Sequence, residues 1–143
     1  MSIAETILSE FEEQVPVTRK FLERVPEDRL TWKPHEKSMS AGQLALHIAL
    51  VPGGIIRFVQ ANPAKAPDFG SIPAPANRAE ILNTFEEGVE TVRSLLPDLD
   101  DKKMLETWRM VRDGQELFAL PRHRFIRDIM LNHWFQHRGQ LSV

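Results

Sequence analysis

NRAEILNTFEEGVETVRSLLP, residues 77–97, is the most regular amphipathic stretch of the chain. Its apolar side chains return every three or four residues, so that one face of a helix is apolar and the opposite face is polar. Asn77 followed by Glu80 is a helix-start signal, and Pro97 closes the helix. The stretch therefore predicts a helix that packs one side into a core.

Two earlier segments begin with a capping box, in which the first side chain and the one three residues later bond to backbone amides. These pairs are Ser2 with Glu5 and Ser40 with Gln43. Each pair starts a segment with helical apolar spacing, so each predicts a further amphipathic helix. Both segments contain an interior proline that is expected to kink the helix, namely Pro16 and Pro52.

The last third of the chain changes its pattern. Residues 107–120 place Asp113-Gly114 between two short apolar runs, which predicts a short β-hairpin around a two-residue turn. Pro121 suits the first turn of a final helix. One face of that helix is predicted to carry Phe125, Ile129, His133, His137 and Leu141.

Two long connections separate these elements. Residues 27–39 form the first, and residues 62–76, with four prolines, predict a stiff extended loop without a regular element. Four helices with two long connections predict an all-α fold, a four-helix bundle with crossover loops and a short hairpin before the last helix. A length of 143 residues predicts one domain over 1–143.

The composition excludes several function classes. Lys and Arg number 18 against 20 Asp and Glu, a net charge of −2 that argues against nucleic-acid binding, including through the cluster Arg122, Arg124 and Arg127. The N-terminus is polar and acidic, and the longest apolar run, 48–56, contains a proline and two glycines. We therefore expect a cytoplasmic protein that does not enter a membrane.

Cysteine is absent from the sequence, which excludes disulfides, thiolate metal ligands and a cysteine nucleophile. Tyrosine is absent as well. The side chains that titrate near neutral pH are therefore the histidines, which are His35, His47, His123, His133 and His137.

Three of these histidines suggest a metal site. His133 and His137 are four residues apart, so a helix places both imidazoles on one face, where they can reach one ion. His47 lies on the apolar stripe of the second helix, where an unpartnered imidazole would lose solvation without compensation. The alternatives are an accidental pair and an ordinary core histidine, and only the three together predict a site.

Two known metal-binding motifs are absent from the sequence. The zincin motif needs Glu after its first histidine, whereas residue 134 is Trp. A carboxylate-bridged di-iron bundle needs Glu three residues before a ligand histidine, and none of the five has one. Three nitrogen ligands with an open fourth position suit Zn²⁺, Ni²⁺ or Fe²⁺ better than Mg²⁺ or Ca²⁺.

Two glutamines are candidates for hydrogen bonds that orient the ligand histidines. Gln43 lies one turn before His47, and Gln140 lies three residues after His137. Each has an equally good alternative, since Gln43 also reads as a helix cap and Gln140 as an exposed amide. His35 and His123 are expected at the surface.

Three segments resemble the DinB/YfiT-like metalloenzyme superfamily: WKP at 32–34, QLALHIA at 43–49 after Ser40, and NHWFQHRGQL at 132–141. Their order and spacing match over nearly the whole chain. The resemblance implies a four-helix bundle, commonly a homodimer, that holds one divalent metal, often nickel or zinc. The ligands it implies are His47, His133 and His137.

The resemblance is less specific about activity, since some relatives are transferases or isomerases that use low-molecular-weight thiols such as bacillithiol or mycothiol. We predict a metal-dependent enzyme, a hydrolase or a thiol-dependent transferase, that activates water or a thiol for a small-molecule substrate. No general base is identified; Glu36 and His35 are on the connector that enters the second helix. The alternative is a non-catalytic, metal-stabilised dimeric bundle that acts as a binding or stress-response module.

Overall fold

Long helices build most of the protein in a computed structural model, which describes residues 1–68 and 71–143. Two residues of the predicted proline-rich loop, 69 and 70, lie outside that description. Short 3₁₀ turns at Glu27–Arg29 and Leu96–Asp98 follow the first and third helices. The helices before the sheet are α1 (Ile3–Glu23), α2 (Ala41–Phe58), α3 (Arg78–Leu95) and the short α4 (Asp101–Leu105).

The predicted helix starts are confirmed. Ser2 Oγ accepts from the Glu5 amide at 3.1 Å, and the Glu5 carboxylate accepts from the Ser2 amide at 2.6 Å. Ser40 and Gln43 form the same reciprocal pair, with distances of 3.1 and 2.9 Å. Both helices continue through their interior prolines, Pro16 and Pro52.

The prediction of an all-α four-helix bundle is wrong, because the fold includes a three-stranded mixed sheet. The predicted hairpin is present, and Asp113 and Gly114 take the positive φ values, 49° and 78°, that its tight turn requires. The strand that sequence analysis missed lies in the second connection and runs parallel to the first hairpin strand. The strands are β1 (Ala64–Lys65), β2 (Thr107–Arg112) and β3 (Gln115–Pro121).

The missed strand β1 is held by its surroundings rather than by its own sequence. It has only two residues, too few for any alternation of apolar and polar side chains. Asn62, just before it, accepts from the Arg109 amide and donates to the Thr107 carbonyl, at 3.0 and 2.9 Å. These side-chain bonds attach the connection to β2, so the proline-rich segment is partly sheet.

The core lies between α1, α2, α3 and the last helix. Helices α2 and α3 approach closely at two glycines: a Cβ on Gly53 would lie 2.8 Å from the Gly88 Cα. The fully buried Trp134 of the last helix stacks on Phe11 of α1, with ring centroids 5.3 Å apart. It also contacts α2, because its indole donates to the Ile48 carbonyl. Helix α2 is therefore packed on both sides.

The last helical run, 122–141, is not a uniform α-helix. It comprises α5 (Arg122–Phe125), a π-helical segment (Ile126–His133) and α6 (Trp134–Leu141). A π-helix bonds each amide to the carbonyl five residues earlier, which shifts the facing of every side chain that follows. The sequence predicted a plain helix here, and the π segment ends at one of the candidate ligands.

Among the described residues, α2 is the one helix long and apolar enough to cross a membrane by length and composition. Half of that 18-residue stretch is buried inside the fold. A core helix of a soluble protein meets the same criterion, so this helix is only weak evidence for a membrane span.

Candidate metal centre

The three predicted histidines lie together. His47 is on α2, His133 ends the π segment, and His137 is on the first turn of α6. The Nε2 atom of His133 is 3.4 Å from Nε2 of His47 and 2.9 Å from Nε2 of His137. One nitrogen from each of the three rings lies within 4.8 Å of the others.

These spacings suit a single ion. Tetrahedral Zn–N bonds of the usual length place neighbouring nitrogens about 3.4 Å apart. The group that converges here contains three imidazoles and no carboxylate. Nitrogen donors alone match Zn²⁺, Ni²⁺ or Fe²⁺, while Mg²⁺ and Ca²⁺ prefer oxygen. The residues present therefore fit a divalent transition metal and do not distinguish among these ions.

One hydrogen bond aligns the two helices at this point. The indole Nε1 of Trp134 donates to the Ile48 carbonyl at 2.9 Å, in the buried interior. Trp134 follows His133 in the chain, and Ile48 follows His47, so the bond joins the two backbones beside the ligand side chains. It fixes how α6 sits against α2, and with it the distance between the histidines.

Pro52 explains why that carbonyl is free. In an α-helix the Ile48 carbonyl would accept from the amide four residues later, but residue 52 is proline and has no N–H. The indole of Trp134 supplies the missing donor. Pro52, which was expected to kink α2, thus leaves free the carbonyl to which Trp134 of the last helix bonds.

Burial keeps two of the three imidazoles neutral, the form that binds a cation. Loss of solvent, together with the positive charges of His137 and His133, lowers the pKa of His47 from 6.5 to about 4. Burial, followed by the charge of His137, also lowers the pKa of His133. At neutral pH both rings are therefore neutral and offer a nitrogen lone pair.

A family comparison agrees with this geometry. The sequence profile of the DinB superfamily matches residues 10–141. The chain belongs to the DinB superfamily. The resemblance inferred from the three sequence segments is confirmed.

Solved structures of DinB-like proteins share the fold. A DinB-like protein from Bacillus cereus ATCC 10987 superposes with a TM-score of 0.72 at 20% identity, covering 96% of this chain and 87% of that one. The DinB-like protein YjoA from Bacillus subtilis gives the same TM-score and identity, covering 96% and 88%. No curated protein sequence matches the chain.

The two glutamines differ in position within this DinB-superfamily protein. The Gln140 side-chain oxygen lies 2.7 Å from His137 Nδ1 and can accept its proton, which leaves Nε2 of that ring unprotonated toward the other histidines. Gln43 instead caps α2 and donates to the Ile72 carbonyl at 3.0 Å. The structure thus places Gln140 beside a candidate ligand, and Gln43 at the helix start that was its alternative interpretation.

The other two histidines are outside the group. His35 accepts from the Lys37 amide at 3.1 Å in an exposed connector, and His123 lies on α5. Sequence analysis missed two features of the DinB site, the Trp134 hydrogen bond and the π segment. A signal for the first was present, since a proline four residues after Ile48 leaves a carbonyl that needs a donor.

Proposed function

We propose that the protein binds one divalent transition metal through His47, His133 and His137 and is a metal-dependent enzyme. The observation that carries the proposal is the convergence of three imidazole nitrogens, with no carboxylate in the group. Three ligands leave a fourth position for water or substrate, which is the arrangement of catalytic rather than structural sites. The reaction class we favour is hydrolysis, or transfer to a low-molecular-weight thiol.

The metal, when bound, would lower the pKa of a water or thiol ligand and hold it for attack. Several residues of the protein would hold the three histidines in the state that binds the metal. Burial keeps His47 and His133 neutral, Gln140 holds His137 in the tautomer with its inward nitrogen free, and Trp134 keeps the two ligand-bearing helices in place. Because the chain contains no cysteine, any thiol must arrive as a cosubstrate.

Nickel and zinc are the metals we favour, with iron as the third candidate, because all three accept imidazole. We further propose a small-molecule substrate and a homodimer in the cytoplasm, with no nucleic-acid or membrane partner. The dimer follows from the family resemblance, and the exclusion of nucleic acid rests on the net charge of −2.

The metal site can be tested on protein purified without a histidine tag. Metal content is measured first, and calorimetric titration with Zn²⁺ and Ni²⁺ follows after chelation. We expect one site per chain, and a loss of affinity well beyond about 100-fold in His133→Ala, because a ligand should cost more than a supporting residue. His123→Ala is the matched control and should bind as the original protein does. Unchanged affinity in His133→Ala and His137→Ala would exclude the site.

Turnover is tested on the metal-loaded protein with a panel of esters, amides and electrophiles, each with and without an added thiol. Activity that disappears in His133→Ala and on chelation supports the enzyme. Chelation that lowers the melting temperature, without turnover of any panel member, would favour the non-catalytic, metal-stabilised module.

A further inference from the structure

A cavity of about 650 Å³ lies between the end of α1, the connector that follows it and the end of α6. Its walls are largely apolar, and they include the aromatic rings of Phe21 and Trp32. Trp32 is 54% exposed, which is unusual for so large an apolar side chain. Three cations also line the cavity: Lys20, Arg24 and Arg29.

None of these three cationic side chains has a hydrogen-bond or ion-pair partner among the described residues, and for the two arginines this is exceptional. Arg24 and Arg29 are the only arginines in ranges 1–68 and 71–143 whose side chains have no hydrogen-bond or ion-pair partner. The others pair with carboxylates, with threonines or with backbone oxygens, and the set comprises Arg19, Arg57, Arg78, Arg93, Arg109, Arg112, Arg122, Arg124, Arg127 and Arg138.

The lack of partners is not explained by a lack of acidic residues nearby. Glu27 lies two residues before Arg29, but its carboxylate accepts from the Arg78 amide at 2.9 Å. The negative end of the α1 dipole favours Lys20 and Arg24, which lie in or just after its last turn, but Arg29 lies beyond that range. In the part of the chain that the structure describes, the cavity lining therefore contains three cationic side chains and no acidic one.

This cavity adjoins a second one that reaches a residue bonded to His137. A second cavity, of about 390 Å³, shares four lining residues with the first: Trp32, Ala41, Leu141 and Val143. It also reaches Leu44, which lies one turn before His47, and Gln140, which bonds to His137. Because they share these residues, we treat the two cavities as one groove, which runs from the arginines to Gln140; the three histidines themselves do not line it.

We propose that this groove binds a small organic anion. The anionic group lies between Arg24 and Arg29, the apolar body packs on Trp32 and Phe21, and the far end points to Gln140 and the histidines. Guanidinium groups bind carboxylates and phosphates through paired N–H donors, and apolar walls strengthen that attraction. The groove lies beside the proposed metal site, on the Nδ1 side of His137, so this inference goes beyond the proposed function.

The first test uses 8-anilinonaphthalene-1-sulfonate, a fluorescent anion with an aromatic body, and its uncharged counterpart N-phenyl-1-naphthylamine. We expect the anion to bind at one site. The double variant Arg24→Gln/Arg29→Gln should bind it at least about ten-fold more weakly, the loss typical of charge-assisted hydrogen bonds. Arg57→Gln, on α2 and outside both cavities, is the matched control. Equal binding by the double variant, or equal affinity for the uncharged probe, would overturn the proposal.

Competition on the unaltered protein does not depend on any variant folding. Phenylacetate and phenyl phosphate should displace the probe and benzyl alcohol should not, and the stronger competitor distinguishes carboxylate from phosphate ligands. Displacement by benzyl alcohol as effective as by the two anions would contradict the proposal. Probe binding that weakens as protein concentration rises would show that a second copy covers the groove, and would contradict it as well.

Metal titration separates this inference from the proposed function. Arg24→Gln/Arg29→Gln should bind Zn²⁺ normally, and His133→Ala should bind the anionic probe normally. If the protein binds metal but not the anion, only the inference about the groove fails. If it binds the anion but no metal, only the proposed metal site fails.

Discussion

Helix α2 meets the protein on two sides that are built in opposite ways. Toward α3 it presents Gly53, which lies directly against Gly88, so the two backbones touch without intervening side chains. Toward the last helix it presents His47, whose Nε2 lies beside Nε2 of His133, and the Ile48 carbonyl, which accepts from the Trp134 indole. The first side has no space for a ligand, while the second retains imidazole nitrogens that a cation can bind.

The contrast has a physical cause. Close packing of glycines removes the space and the polar atoms that a ligand would need, and it holds α2 rigidly against α3. A rigid support is what a three-ligand site on two different helices requires, because small displacements weaken coordination. The predictions below alter one side of α2 at a time.

The largest effect is expected from the metal itself. Free Zn²⁺ at 100 times its dissociation constant should raise the free energy of unfolding by about 2.7 kcal/mol, because only the folded chain assembles the site. His133→Ala should show no such rise, whereas His35→Ala, in the exposed connector, should show all of it. Thermal or urea unfolding with and without metal measures both. A metal-induced rise that persists in His133→Ala would place the ion elsewhere.

Removing the indole donor on the same side should have the next largest effect. Trp134→Phe leaves the Ile48 carbonyl buried without a donor, which should cost about 2 kcal/mol of stability and weaken metal binding. Pro52→Ala restores an amide at the position that can bond this carbonyl within α2. We therefore expect Pro52→Ala to cost less in the Trp134→Phe background than alone. Additive costs in the unfolding free energies of the two single variants and the double variant would show that Pro52 and Trp134 act independently.

The glycine side can be tested with neighbouring residues on one helix. Gly53→Ala should destabilise the protein by about 1–2 kcal/mol, since its Cβ would lie 2.8 Å from the Gly88 backbone and the helices must separate. Gly54→Ala meets no atom within 4 Å and should stabilise the helix by about 0.5–1 kcal/mol. Urea unfolding gives both values. A destabilising Gly54→Ala would show that α2 tolerates no alanine here, for reasons other than the α3 contact.

How much of the fold could be predicted from the sequence depends on how far apart in the chain the interacting residues lie. The helix starts at Ser2, Ser40 and Asn77 use residues three positions apart, and the Asp113-Gly114 turn is equally local, so these predictions are confirmed. The two-residue strand β1 and the π segment depend on partners distant in the chain, and neither has a periodic pattern of its own. The all-α prediction failed for that reason.

The candidate site shows the same division. His133 and His137 were paired by their spacing and His47 by its position on an apolar stripe, and the structure brings all three together. Their role as metal ligands stays a prediction. The Trp134 hydrogen bond and the unpaired Arg24 and Arg29 depend on how α1, α2 and α6 pack against one another, which spacing along one helix does not contain.

A pH-dependent effect is expected in the metal-depleted protein. Because burial lowers the pKa of His47 to about 4, the unfolded chain takes up a proton there below about 6.5, while the folded protein does not until about 4. The free energy of unfolding therefore falls as the pH falls from about 6.5 to about 4. Above pH 6.5 the neutral His47 does not lower it.

His47→Gln removes that proton uptake, so its unfolding free energy should fall less steeply with acidification than that of the unaltered protein. The carboxylates of Glu12 and Glu86, whose pKa values are lowered by hydrogen bonds from Arg93 and Arg19, lose stability in acid in both proteins and cancel in the difference. Urea unfolding at pH 7, 6, 5 and 4 gives the two slopes. Parallel slopes would mean that His47 titrates alike in both states, and that the polar side of α2 is as open to water as an unfolded chain.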